Sequence, residues 1–142
     1  MNLSPNFTLE ELTFTDHREF DNTPNATERA NLVRLAALLE RVKTALGNAP
    51  VMVNSAFRCK QVNDAVGSKD TSQHRLGCAA DIRVPGLTPD QVVKACIAAK
   101  LPFDQLIREF DRWTHISITN TQNGAPRGQV LIIDGKGTKP YA

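Results

Sequence analysis

The feature that most constrains the fold of this chain is one long amphipathic helix followed by short strand-like segments. After Pro24, Asn25 and Glu28 have the spacing of a helix-capping box. Apolar residues then recur at helical spacing, and Gly47 ends the run. These apolar positions are Leu32, Leu35, Leu39, Val42 and Leu46. The stripe predicts a helix that buries one face in the core.

Short apolar segments separated by polar, Gly or Pro turns predict a sheet. The predicted strands are 51–55, 79–84, 103–110, 114–119 and 129–133. Thr88, Pro89 and Gln91 mark the start of a second helix, and the polar stretch 63–76 predicts a loop. Because the strands cluster after the helices, the pattern predicts a small α+β domain with an antiparallel sheet flanked by helices.

The length of 142 residues predicts a single domain spanning 1–142. Residues 1–24 mix polar residues with spaced apolar ones, which predicts an extended N-terminal arm packed on the body. The apolar residues expected to make this contact are Phe7, Leu9, Leu12, Phe14 and Phe20.

Composition excludes several classes of protein. The net charge is +2 without dense Lys/Arg runs, so no nucleic-acid partner is expected. Neither a signal peptide nor a membrane-spanning segment is visible, so we expect synthesis in the cytoplasm and no membrane insertion. We also expect a monomer. Cys59, Cys78 and Cys96 are odd in number and widely spaced, which favours free thiols over disulfides or a Cys-based zinc site.

Two of the three histidines fall at positions suited to metal binding. His74 lies seven residues before Asp81, and Gly77 between them lets the backbone bend so that both can point at one centre. His115 lies on a predicted strand, where alternation separates it from its apolar neighbours. Two imidazoles and one carboxylate suit zinc and leave a fourth position for water. Spacing alone fits equally a surface histidine and an ordinary strand aspartate.

Four motifs together resemble the zinc D-Ala-D-Ala carboxypeptidase family. Residues 55–58 read Ser-Ala-Phe-Arg, and Asn63 precedes a Val-Gly pair. Residues 72–81 contain Ser-Gln-His, then Gly and Asp, and residues 113–117 read Trp-Thr-His-Ile-Ser. The arm and first helix are also similar to those of phage-borne members. The resemblance implies the fold shared with lysostaphin-type peptidases and the hedgehog domain.

The resemblance implies a role for each matched residue. It assigns His74, Asp81 and His115 as ligands of one Zn²⁺ per chain. It assigns Arg58 to the catalytic site and to binding the substrate's carboxylate, where a guanidinium can form two parallel hydrogen bonds. The alternative for Arg58 is a surface salt bridge.

Two residues beside His74 receive weaker assignments. Gln73 is a candidate catalytic residue that would polarise the scissile carbonyl or stabilise the oxyanion. The equal alternative is a loop residue that makes a local hydrogen bond. Ser72, from the same motif, is assigned to substrate binding.

The general base departs from the family pattern. Many relatives carry an acidic residue three positions before the last histidine, and here that position is Arg112. Glu109, six positions before His115, has the spacing of the hedgehog-like branch and is the favoured base. Asp111 is the competitor and is expected in a turn.

The resemblance implies a peptidase acting on peptidoglycan stems, as a D,D-carboxypeptidase or an endopeptidase. Small size and the absence of a leader favour a phage lysis enzyme that reaches the wall after release. Two other classes remain open: a non-haem iron oxygenase, whose ligands usually lie closer in sequence, and an inactive metal-bearing wall-binding module. Metal analysis with a test of oxygen dependence addresses the first, and incubation with peptidoglycan addresses the second.

Overall fold

A computed structural model describes residues 1–141. Its α-helices are α1 (Leu9–Leu12), α2 (Ala26–Ala45), α3 (Lys60–Ala65) and α4 (Pro89–Ala98). Its strands are β1 (Met52–Ser55), β2 (Ala79–Arg83), β3 (Gln105–Glu109), β4 (Trp113–Ser117), β5 (Gln129–Asp134) and β6 (Gly137–Pro140). A 3₁₀-helix spans Gln73–Leu76. The helices and sheet confirm the predicted α+β class.

The six strands form one sheet in the order β1-β2-β4-β3-β5-β6. Neighbouring strands are antiparallel except β3 and β5, which run parallel. Because β4 is antiparallel to β3, it ends beside the start of β3. The loop 118–128 crosses to the other side of β3 at this end, so β5 starts beside Gln105 and runs parallel to β3. The prediction of an antiparallel sheet is therefore corrected at this one pair.

The two faces of the sheet are buried differently. Strand alternation places Leu106 and Ile116 on the face that packs against the helices, and both are fully buried. The predicted stripe of α2 joins this core, confirming the helix and its capping box at Asn25 and Glu28. The opposite face carries the polar candidate residues.

The N-terminal arm is only partly as predicted. Thr8 and Glu11 form a capping box that starts helix α1, so the arm is not extended throughout. Phe7 and Leu12 are fully buried as expected. Phe14 is 45% exposed, so the prediction that it packs on the body is wrong.

Three further elements differ from the sequence prediction. The predicted loop 63–76 contains the end of α3 and the 3₁₀-helix. Strand β6 was missed because its residues are all exposed and lack apolar alternation. The other strand ends shift by one or two residues, which is usual for such boundaries.

The cysteines are free, as predicted, with Cys78 and Cys96 buried and Cys59 half-buried. Burial raises the pKa of the Cys96 thiol to about 12. Within residues 1–141, no helix is long and apolar enough to cross a membrane.

Candidate metal centre

Three buried side chains converge at one point on the open face of the sheet. The ligand atoms of His74, Asp81 and His115 all lie within 4.8 Å of one another. Oδ1 of Asp81 is 3.0 Å from Nδ1 of His115 and 3.4 Å from Nε2 of His74. The structure therefore brings together the three residues selected from the sequence.

Sheet register explains two of these positions. Asp81 on β2 is directly paired with His115 on β4, so their side chains point to the same face. The centre is thus built across two hydrogen-bonded strands, which fixes the separation of these two groups.

The 3₁₀-helix positions the third residue of the centre, His74. Its N-cap, Ser72, accepts a hydrogen bond from the backbone of His74 through its hydroxyl oxygen. Gly77 ends the turn with a φ of +75°, and a Cβ there would lie 2.7 Å from the carbonyl oxygen of Glu28. A glycine is needed at this position for both the left-handed backbone and the close approach.

The tautomer of His74 suits metal binding. Its Nδ1 lies 2.6 Å from the carbonyl oxygen of Ala56. A carbonyl can only accept, so Nδ1 carries the proton and Nε2 presents a lone pair toward Asp81. Burial, the largest influence, lowers the pKa of His74 and favours the neutral form that binds metals.

The electrostatics of the centre favour a cation. Burial opposes ionisation of Asp81, but the hydrogen bond with His115, at 3.0 Å, helps to hold the pKa of that carboxyl below its usual range. The guanidinium of Arg58, 3.2 Å from Oδ2, adds a positive charge beside it. An ionised carboxylate and a neutral imidazole thus face one buried point. Two imidazoles and one carboxylate fit zinc, whose catalytic sites keep a fourth position for water.

Arg58 lies at the rim of the centre. Its Nη2 is 3.2 Å from Oδ2 of Asp81, and its Nε donates to the hydroxyl of Ser55 at 3.1 Å. The side chain is largely buried, which disfavours the alternative of a surface salt bridge. Arg58 uses one oxygen of Asp81 and leaves the other facing the histidines.

Glu109 and Asp111 are placed very differently. Oε1 of Glu109 is 3.8 Å from Nδ1 of His115, and its side chain is only 18% exposed. Burial, reinforced by the charge of Asp81, raises the pKa of Glu109. Asp111 lies in the turn, is 71% exposed and pairs with Arg108 at 3.0 Å. Glu109 therefore lies at the edge of the centre and Asp111 lies away from it, and the identity of the base stays a prediction.

The side-chain amide nitrogen of Gln73 makes hydrogen bonds within the protein. Its Nε2 contacts Oδ1 of Asn120 at 2.8 Å, the carbonyl of Ile118 at 2.9 Å and Oδ2 of Asp104 at 3.1 Å. This supports the local alternative over an oxyanion role. Ser72 has its capping role, and its assignment to substrate binding stays a prediction.

Sequence analysis missed two contributors to the site. The carbonyl of Ala56 orients His74, and a backbone group carries no signal in the sequence. The Asp104–Arg127 pair anchors Gln73, the first residue of the 3₁₀-helix, with Nη2 of Arg127 2.8 Å from Oδ2 of Asp104. An Asp and an Arg 23 positions apart give no detectable pattern.

A buried two-histidine, one-aspartate centre with an acidic residue at its edge fits the class of metal-dependent hydrolases. The sequence model described as Peptidase M15 matches residues 5–117, and the chain belongs to this family. The zinc D-Ala-D-Ala carboxypeptidase of Streptomyces albus G is similar, with 39% identity over 57 residues. That match covers 40% of this chain and 22% of the relative.

Proposed function

We propose that this protein is a zinc-dependent peptidase that hydrolyses peptide bonds in peptidoglycan stems. The convergence of His74, Asp81 and His115 beside Glu109 is the observation that carries the proposal. The M15 family and the named activity of the Streptomyces relative support the same reaction and metal.

In this proposal His74, Asp81 and His115 hold one Zn²⁺, which when bound supplies Lewis acidity toward a water molecule and the scissile carbonyl. Glu109 accepts the proton of the attacking water at Oε1 and returns it to the leaving amine.

Arg58 is proposed to bind the free carboxylate at the substrate's C-terminus. Its guanidinium is held by Ser55 and Asp81, so a second carboxylate would meet a pre-oriented donor group. This role favours a D,D-carboxypeptidase. An endopeptidase cutting within a cross-link would present no such carboxylate.

Digestion of purified peptidoglycan, followed by mass spectrometry of the products, tests the proposal. Loss of a terminal D-alanine would identify a carboxypeptidase, and cleavage of cross-links an endopeptidase. Binding to the wall without any cleavage would instead favour the inactive module, although the retention of Arg58 and Glu109 supports catalysis.

The biological setting of the reaction is a separate proposal. We propose a phage lysis role in which the enzyme acts as a monomer after release to the wall. Expression with and without a membrane pore tests the role, since lysis should require both. Size-exclusion chromatography with light scattering tests the monomer.

A further inference from the structure

The β3–β4 turn has an unusual residue at its tip. Phe110 and Asp111 adopt φ angles of +54° and +53°, and the backbone N–H of Arg112 donates to the carbonyl of Glu109 at 3.0 Å. Two-residue hairpin turns of this kind strongly favour Asn and Gly. A bulky residue in the left-handed region is an outlier, and such strain clusters at functional sites.

Burial does not explain the phenylalanine. Phe110 is 47% exposed, so nearly half of its surface stays in contact with solvent. Its ring packs against Trp113 with a centroid distance of 5.8 Å and a tilt of 48°. The turn thus exposes the ring of Phe110, packed on the half-buried Trp113, at some cost in backbone energy.

This aromatic pair adjoins the metal centre. Trp113 pairs directly with Glu109 across the two strands and lies on the same face as His115, two residues away. The pair also forms one wall of an open groove of about 500 Å³ between the β3–β4 and β5–β6 turns. The groove is lined by Phe110, Asp111, Arg112, Trp113, Asp134 and Gly135.

The groove and Arg58 lie on opposite sides of the centre. Arg58 contacts Asp81 on β2, whereas Glu109 lies on β3, two strands further across the sheet. Two strand spacings amount to about 10 Å, the span of about three extended residues. A peptide whose terminal carboxylate lies at Arg58 would therefore reach the aromatic pair with the part that precedes the scissile bond.

We propose that Phe110 and Trp113 form a substrate-binding subsite for the acyl side of the peptide. The subsite takes the aliphatic side chain of the residue two positions before the scissile bond, which packs on the two rings. This inference rests on the proposed peptidase function and names the part of the substrate that gives it specificity. It also explains why the turn retains a phenylalanine in place of a residue that fits its backbone.

Two substrates and one substitution test the subsite. N-acetyl-D-Ala-D-Ala ends before the groove, whereas diacetyl-Lys-D-Ala-D-Ala carries an aliphatic side chain into it. We expect Phe110→Asn to lower the ratio of kcat/KM for the long over the short substrate by about tenfold, the usual scale for lost apolar contacts in a pocket. The same variant should melt at or above the wild-type temperature because asparagine tolerates the left-handed backbone.

Two control variants complete the test. Phe110→Tyr keeps the ring and should preserve the substrate ratio, and Phe14→Asn removes an equally exposed phenylalanine from the N-terminal arm and should also preserve it. An unchanged ratio in Phe110→Asn would overturn the subsite while leaving the peptidase proposal intact. A zinc-loaded wild type that cleaves neither substrate would overturn the subsite and the carboxypeptidase role of Arg58. Failure to digest peptidoglycan as well would overturn the peptidase proposal itself.

Discussion

On the helix side of β4, Ile116 is fully buried among the apolar residues of α2 and α4. On the other side of the same strand, His115 is almost equally buried, but its neighbours are Asp81 and Glu109. Apolar burial stabilises the first face directly. Burial of ionisable groups on the second face costs free energy unless a partner or metal compensates it.

The different burial of the two faces predicts how a substitution on each face should act. Changes on the helix face should alter stability and leave the chemistry of the folded protein intact. Changes on the metal face should alter zinc binding or catalysis, with smaller effects on folding of the metal-loaded protein. Each variant below tests this separation.

The largest effect is expected on the metal face. Glu109→Gln keeps the size of the side chain but cannot accept a proton, so kcat should fall by ~10²–10⁴ while zinc stays bound. Asp111→Asn is the matched control, because that exposed turn residue pairs with Arg108 and should be dispensable. Steady-state kinetics with zinc analysis measures both. An inactive Asp111→Asn variant together with an active Glu109→Gln variant would show that Asp111, and not Glu109, is the base.

Leu39→Ala tests the helix face. Leu39 is fully buried in the core, and truncation should lower the free energy of unfolding by about 2–5 kcal/mol. Zinc content and kcat of the folded variant should match wild type. Denaturant unfolding of the zinc-loaded protein supplies the first value. Loss of zinc from a fully folded variant would show that the two faces are coupled.

Arg58→Ala should act mainly on substrate binding. Removal of a charge-assisted contact worth about 1.5–3 kcal/mol should raise KM for a D-Ala-D-Ala peptide by roughly 10–100-fold. Kinetics on a substrate with an amidated C-terminus provides the comparison, since that substrate offers no carboxylate. Reduced zinc content in this variant would indicate instead that Arg58 serves to orient Asp81.

The smallest effect concerns the Asp104–Arg127 pair, which lies outside the metal centre. Hydrogen bonds from Arg127 hold the pKa of Asp104 below its usual value. The stability this provides is present above the unfolded pKa of about 3.9 and is lost as pH falls through the lower folded value. Thermal melts should therefore separate wild type from Arg127→Ala at pH 7, and the gap should narrow below about pH 3.9 and close once pH passes the lower folded pKa. A gap that persists in acid would exclude this ionic contribution.

The sequence predicted the elements whose signals are local. The capping box of Asn25 and Glu28 spans only four residues and marks the start of α2. His115 lies on a strand whose apolar and polar residues alternate. The capping box of Thr8 and Glu11 has the same local signal, but helix α1 was not predicted. The selection of three converging side chains was possible because motif resemblance adds spatial information that spacing lacks.

The remaining features depend on long-range contacts. The parallel pairing of β5 with β3 follows from the path of the loop 118–128, which no local pattern specifies. The hydrogen bonds of Gln73 reach Asp104 and Asn120, so its position could not be inferred from its neighbours. The tautomer of His74 depends on a backbone carbonyl, which every residue possesses.

The zinc content of the purified protein tests the central claim most directly. Inductively coupled plasma mass spectrometry should find about one zinc per chain in wild type. The variants His74→Ala, Asp81→Ala and His115→Ala should each lose both zinc and peptidase activity, while Phe14→Asn, prepared in parallel, retains them. Full zinc occupancy in all three ligand variants would contradict the metal centre described above.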